Sequence, residues 1–195
     1  NFQREARRMY PMGSLAAHAL GFTDIDNKGL TGIERYFDKE LRPRQDNMAL
    51  SIDVRVQHVL EHELGVAMKK FSAIGAAGLV MDVTTGEVVA MASLPSFDPN
   101  QPGAIAQDLR FNRTTLGVYE MGSTFKIFTT AMALDAGPVS LHGGYDATNP
   151  IRVARFTIRD FHAKKRWLSV PEIFMYSSNI GTVKMVLDVG IPGHR

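Results

Sequence analysis

The sequence predicts an α+β protein in which helices pack on an antiparallel sheet. Two short apolar runs, 77–83 and 87–93, flank Thr84-Thr85-Gly86, the pattern of a β-hairpin. Helical segments then follow as a group rather than alternating with strands, which separates α+β from α/β order. With 45% hydrophobic and 22% charged residues over 195 positions, the composition is that of a chain able to bury a core.

Residues 1–45 are polar and turn-rich, with a turn at Tyr10-Pro11-Met12-Gly13 and a short apolar run around His18. Thr31-Gly32-Ile33-Glu34 opens a helix predicted to end near Leu41, and Pro43 closes the segment. A domain boundary is placed near residue 46. Met48 to Ile52 reads as a strand. Val54, Leu60, Leu64 and Ala67 recur at helical spacing, which predicts a helix from Asp53, as its cap, to Lys70. The hairpin follows, then a loop at 95–100 whose two prolines cannot donate to a ladder.

Gly122 precedes a second helix with Ile127, Phe128, Ala131 and Leu134 as its apolar stripe, stopped by Gly137-Pro138. Residues 138–166 read as loop with one strand at 155–158. Ser169-Val170-Pro171-Glu172 is a capping box that starts a helix ending near Tyr176. A last helix is predicted over 179–189, closed by Gly190.

The net charge of +2 is too small to point to nucleic acid, and Lys164-Lys165-Arg166 reads as a solvated loop. The chain has no cysteine, which excludes disulfides and thiolate metal sites. Its longest apolar stretch, 74–94, is broken by Asp82 and Glu87, so no membrane span is predicted there. Neither end reads as a natural terminus, and the segment is expected to be cut from a longer protein.

Ser123-Thr124-Phe125-Lys126 carries the clearest chemistry. Positions i and i+3 share a helix face, so the Lys126 amine can reach the Ser123 hydroxyl. A serine needs a base to become a nucleophile, and a lysine is a base only when its pKa falls. Free N–H groups at a helix start can also stabilise an oxyanion. Ser177-Ser178-Asn179 lies 54 residues further on, between two predicted helices. The first and third side chains of such a turn share a side and can face Ser123 and Lys126. Each motif alone is commonplace; the triplet alone reads as a helix cap or turn.

In this order they are two parts of the signature of serine β-lactamases and penicillin-binding proteins. Residues 118–130 resemble the active-site helix entry of class B penicillin-binding proteins, as do 50–53, 85–92, 95–100 and Asn112-Arg113. Residues 8–18 and 29–34 resemble the end of that family's non-catalytic pedestal. The resemblance therefore implies a pedestal end at 1–45 and the first part of a penicillin-binding transpeptidase domain at 46–195. Asn112-Arg113-Thr114-Thr115 and Ser-Ser-Asn are closer to the septal, division branch than to the elongation branch. Met121 stands where the family usually has proline.

The resemblance implies that Ser123 attacks the carbonyl between two terminal D-alanines of a peptidoglycan stem peptide. Lys126 takes its proton, Ser177 relays a proton to the leaving amine, and Asn179 bonds Lys126 and the substrate amide. An amine of a neighbouring stem peptide then resolves the acyl-enzyme, and β-lactams acylate Ser123. No metal or organic cofactor is implied. A membrane anchor on the periplasmic face of the inner membrane and division-complex partners are implied for the parent protein. The third motif, Lys-[Ser/Thr]-Gly, does not occur in the 195 residues. A second oxyanion donor is therefore missing, and this piece alone is expected to be nearly inactive.

Two alternatives compete. His58-Val59-Leu60-Glu61-His62 fits an H-x-x-E-H zinc-peptidase pattern, with both histidines on one helix face and Glu61 as base. The plainer reading puts them on the wet side of an amphipathic helix. The second alternative is a non-catalytic division scaffold. His18, His142 and His162 read as structural or surface residues, while Asp160 and Glu120 are candidates for lining the cleft.

Overall fold

The computed structural model describes residues 7–42 and 47–193. The chain divides into two compact units, one running to Val118 and the other starting at Tyr119. Pro43, and the segment that holds the expected boundary near 46, lie outside the described residues.

In the first unit the turn at Tyr10 forms, with the Gly13 N–H donating to the Tyr10 carbonyl at 3.0 Å. Helix α1 (Ala17–Leu20) follows. The single helix expected up to Leu41 is instead two, α2 (Gly32–Tyr36) and α3 (Asp38–Leu41). They part at Phe37, whose φ of −103° and ψ of 26° leave the helical basin. Tyr10, Ala17, Phe22, Phe97 and Ile105 form the core of this unit. The Phe22 and Phe97 rings meet edge-on at 5.7 Å, a favourable aromatic geometry.

Helix α4 (Val54–Phe71) is capped as expected: the Asp53 carboxylate accepts from the N–H groups of Arg55 at 2.8 Å and Val56 at 3.4 Å. Strands β1 (Ala76–Met81) and β2 (Val88–Leu94) form the expected antiparallel hairpin. The Asp82 carboxylate holds its turn by accepting from Thr84 N–H at 2.7 Å and Thr85 N–H at 3.2 Å, and Gly86 supplies a φ of 78°. Leu60 and Leu64 of α4 lie over Gly78 of β1, where a Cβ would come within 3.0 Å of both side chains. Val54, expected on that stripe, is half exposed.

Residues 48–52 are not a strand. The second edge of β2 is met by single contacts instead of a ladder. Ser51 Oγ donates to the Val88 carbonyl at 2.7 Å and Asp53 N–H to the Val89 carbonyl at 2.9 Å. The β1–β2 register skips Val89, a bulge that releases its carbonyl for Asp53. Gln57, fully buried on α4, then acts as a surrogate strand. Its amide accepts from Met91 N–H at 2.8 Å and donates to Met91 C=O at 2.9 Å. Thr114 Oγ1 donates to the Ala92 carbonyl at 2.8 Å.

The second unit holds more strand than the sequence suggests. Strand β3 (Gly144–Asp146) pairs antiparallel with β6 (Trp167–Ser169), and β4 (Ile151–Val153) with β5 (Phe156–Ile158). The expected loop at 138–166 thus carries three strands rather than one. Each strand has three residues, too few for alternation to register. A Cβ on Gly144 would strike the Leu168 carbonyl and the Trp167 ring, so only glycine closes the β3–β6 pair.

Helix α5 (Lys126–Asp135) is shorter than expected, because residues Gly122–Phe125 form a 3₁₀ turn. Of its expected stripe only Leu134 packs against the core; Ile127, Phe128 and Ala131 are exposed, and the buried positions are Thr129 and Ala133. The buried pair is one polar and one small residue, so the spacing of the large apolar residues does not select the face. Helix α6 (Val170–Met175) starts at the expected capping box: Ser169 Oγ accepts from Glu172 N–H at 3.4 Å and Glu172 Oε2 from Ser169 N–H at 3.0 Å. Helix α7 (Asn179–Gly193) is broken by Gly190 at φ 67°, where the sequence places its end. Ala133, Ala147, Leu168, Val170, Ile173, Ile180 and Met185 make the core that fixes α5, α6 and α7.

Candidate active site

Lys126 is the first residue of α5 and is partly buried. Its Nζ donates to three oxygens: Ser177 carbonyl at 2.6 Å, Ser177 Oγ at 2.9 Å and Asn179 Oδ1 at 2.6 Å. All three ammonium protons are therefore placed. Burial lowers the Lys126 pKa from the ordinary lysine value, and the nearby Asp160 carboxylate opposes that shift. Lys126, Ser177 and Asn179 are thus brought together as the spacing suggests.

The turn that presents them is not extended. Ser177 has a φ of 52°. Its N–H donates to the Phe174 carbonyl at 3.1 Å, and Ser178 N–H donates to the Ile173 carbonyl at 2.9 Å. This pair of bonds is a Schellman ending of α6, with Ser177 at the left-handed position that usually holds glycine. Ser178, 2% exposed, turns away from Lys126 and caps α7, with its Oγ accepting from Gly181 N–H at 3.0 Å. Both readings of the triplet hold: its middle residue is a helix cap, and its flanking residues face the lysine.

Ser123 sits in the 3₁₀ turn before α5 and is exposed. In such a turn i and i+3 eclipse, which keeps Lys126 on the side of Ser123. No hydrogen bond joins their side chains; among the described residues Nζ engages Ser177 and Asn179 only. Met121 and Glu120 are exposed beside this turn.

Asp160 is tied into the same turn, a role no sequence signal assigns. It accepts from Ser178 Oγ at 2.8 Å and from Ile180 N–H at 2.9 Å. Its neighbour, the Arg159 carbonyl, accepts from Asn179 Nδ2 at 2.8 Å.

The histidine pair on α4 is exposed, with rings 6.5 Å apart. Glu61 turns elsewhere, accepting from Ala16 N–H and Gln57 Nε2, each at 2.8 Å. Among the described residues no three His, Asp or Glu side chains gather as a metal site would require. His18 is structural: its Nε2 donates to the Leu109 carbonyl at 2.7 Å, and burial lowers its pKa.

A family profile described as the penicillin binding protein transpeptidase domain matches residues 76–192. The chain belongs to the penicillin-binding protein transpeptidase family. Among its relatives, the probable peptidoglycan D,D-transpeptidase FtsI of Caulobacter vibrioides is 47% identical over 193 residues, covering 97% of this chain and 33% of that protein. The peptidoglycan D,D-transpeptidase FtsI of Escherichia coli is 34% identical, covering 96% of this chain and 36% of that protein. A crystal structure of penicillin binding protein 3 from Mycobacterium tuberculosis superposes with a TM-score of 0.78 at 27% identity, covering 96% of this chain and 45% of that one. The chain spans about a third of the length of the curated relatives it matches. The α+β fold and the class B, division-type resemblance are borne out.

Proposed function

We propose that this chain supplies the nucleophile and proton-transfer groups of a septal peptidoglycan D,D-transpeptidase. The observation that carries the reading is the Lys126 ammonium held by Ser177 and Asn179, with a lowered pKa, three residues after Ser123. Once neutral, Lys126 accepts the Ser123 hydroxyl proton as Oγ attacks the carbonyl between two terminal D-alanines. The C–N bond then breaks, and the departing amine takes a proton through Ser177. Asn179 fixes Lys126 and receives the substrate amide. An amine from a neighbouring stem peptide attacks the Ser123 ester, forms the cross-link and releases the serine. β-Lactams, as D-Ala-D-Ala mimics, stop at the ester.

Residues 1–45 are read as the end of a non-catalytic pedestal through which division-complex membrane proteins are recruited, and 46–195 as the first part of the transpeptidase domain. The parent protein is placed on the periplasmic face of the inner membrane, held by an anchor outside these residues. Among the described residues no helix is long and apolar enough to cross a membrane.

The test is intact-mass spectrometry of the full-length protein after incubation with a penicillin. One adduct on the wild type and none on Ser123→Ala is expected. An adduct that survives the substitution, or no adduct on the wild type, refutes the assignment.

A further inference from the structure

We propose that Asp160 is a positioning residue of the transpeptidase site, holding Ser177 and Asn179 onto Lys126 through Ser178 and the first turn of α7. The inference rests on the function proposed above and adds a residue to it.

The argument starts from the backbone. A non-glycine residue in the left-handed region costs about 1 kcal/mol or more and persists only where its surroundings hold it. Ser177 is such a residue. It must be held there, because in that conformation both its carbonyl and its Oγ reach Lys126 Nζ. The restraint on its N-terminal side is the Schellman pair at the end of α6. On its C-terminal side it is the next residue, Ser178, and there Asp160 acts.

The direction of every bond at this restraint is forced. A carboxylate only accepts, so Ser178 Oγ gives its proton to Asp160 at 2.8 Å. That leaves the Ser178 lone pairs for Gly181 N–H at 3.0 Å. The other oxygen of Asp160 takes the Ile180 N–H at 2.9 Å. Two of the free N–H groups at the start of α7 are thus satisfied from one strut, which spans both residues flanking Asn179.

Asn179 is oriented by the adjoining peptide. The Arg159 carbonyl only accepts, so the Asn179 amide must turn its NH₂ there, at 2.8 Å. Lys126 only donates while charged, so Oδ1 must face Nζ, at 2.6 Å. Residues 159 and 160 therefore set which end of the amide the lysine meets. Neither touches the reacting atoms.

The test uses the full-length protein and a penicillin at saturating concentration, reading the acylation rate constant and the final adduct stoichiometry separately. Asp160→Ala is expected to reach the wild-type stoichiometry of one adduct, at a rate lowered about 10²-fold, the scale of a 1 Å misplacement. Asp160→Asn retains an acceptor for Ile180 N–H and a polar partner for Ser178, and is expected to recover the rate to within about tenfold. Ser178→Ala cuts the strut from its other end and is expected to slow acylation without changing stoichiometry. A purely structural role lowers the fraction of protein that acylates while leaving the rate per competent site unchanged; that result overturns the proposal. Should Asp160→Ala fail to fold, a wild-type rate in Ser178→Ala overturns it equally. A wild type that takes no adduct refutes the function itself and is told apart by that control.

Discussion

Lys126 offers one reading at the scale of a residue: its three donors meet three oxygens, so as an ammonium it is satisfied and cannot act as a base. The base role proposed for it needs the neutral form, which burial favours and Asp160 opposes. Lys126→Arg keeps the charge but cannot lose it, so the acylation rate should fall at least about 10²-fold in a folded protein, measured by stopped-flow with a chromogenic β-lactam. Asn179→Asp should also slow acylation, for two reasons. It loses the donor to the Arg159 carbonyl and sets a second anion against Nζ. Added negative charge raises a lysine pKa, so the acid limb of the rate profile should move to higher pH than in the wild type. An unmoved or lowered limb contradicts the assigned base. At this scale the sequence was most informative: Ser123, Lys126, Ser177 and Asn179 stand out by motif. Asp160 does not, because its role depends on a hairpin bringing residue 160 beside residue 178, a contact without a sequence period.

Two elements are held by side chains standing in for backbone. Gln57 closes the second edge of β2, and its truncation strands the Met91 N–H and C=O together. Gln57→Ala should cost about 2–6 kcal/mol, from roughly 1–3 kcal/mol for each of the two unsatisfied groups. Urea unfolding should show a lower midpoint with an unchanged slope. On α6 the Glu172 carboxylate is lowered to about 2, first by the Arg166 guanidinium at 2.7 Å and then by the Ser169 N–H. Its folded pKa lies below the ordinary glutamate value of 4.5, so its contribution is complete above that pH and is lost as pH falls toward about 2. The difference in melting temperature between wild type and Glu172→Gln should therefore shrink across that window. The Asp53 cap, the capping box and the hairpin were legible because each is a local rule with fixed spacing. The strand expected at 48–52 does not form: the segment meets β2 only through Ser51 Oγ and Asp53 N–H, and at Met91 the edge is taken by Gln57. The buried face of α5 was hidden because it carries Thr129 and Ala133, one polar and one small, which a search for large apolar residues passes over.

Across the whole molecule the described strands form three separate two-stranded ladders. One edge of β2 is covered by residues of α4 and by Thr114. The outer edge of β1 has no partner among the described residues, and Leu79, Val80 and Met81 beside it are 44%, 37% and 49% exposed. An unprotected apolar edge is a template for another strand. The 195-residue chain should thus self-associate with rising concentration, and Val80→Lys should suppress this, as read by sedimentation velocity. A chain that stays monomeric at high concentration refutes it. Each unit carries its own core, which is why a profile of local patterns was enough to indicate the class of fold.

The left-handed Ser177 also narrows what inheritance can do at that codon. Glycine suits the backbone but brings no hydroxyl to Lys126. Threonine keeps the hydroxyl, yet its branched Cβ suits that conformation worst of all. Alanine fails on both counts. Conformation and chemistry are separate filters whose overlap contains little besides serine. A library randomised at this single position, grown where survival depends on the parent protein, should return serine almost alone.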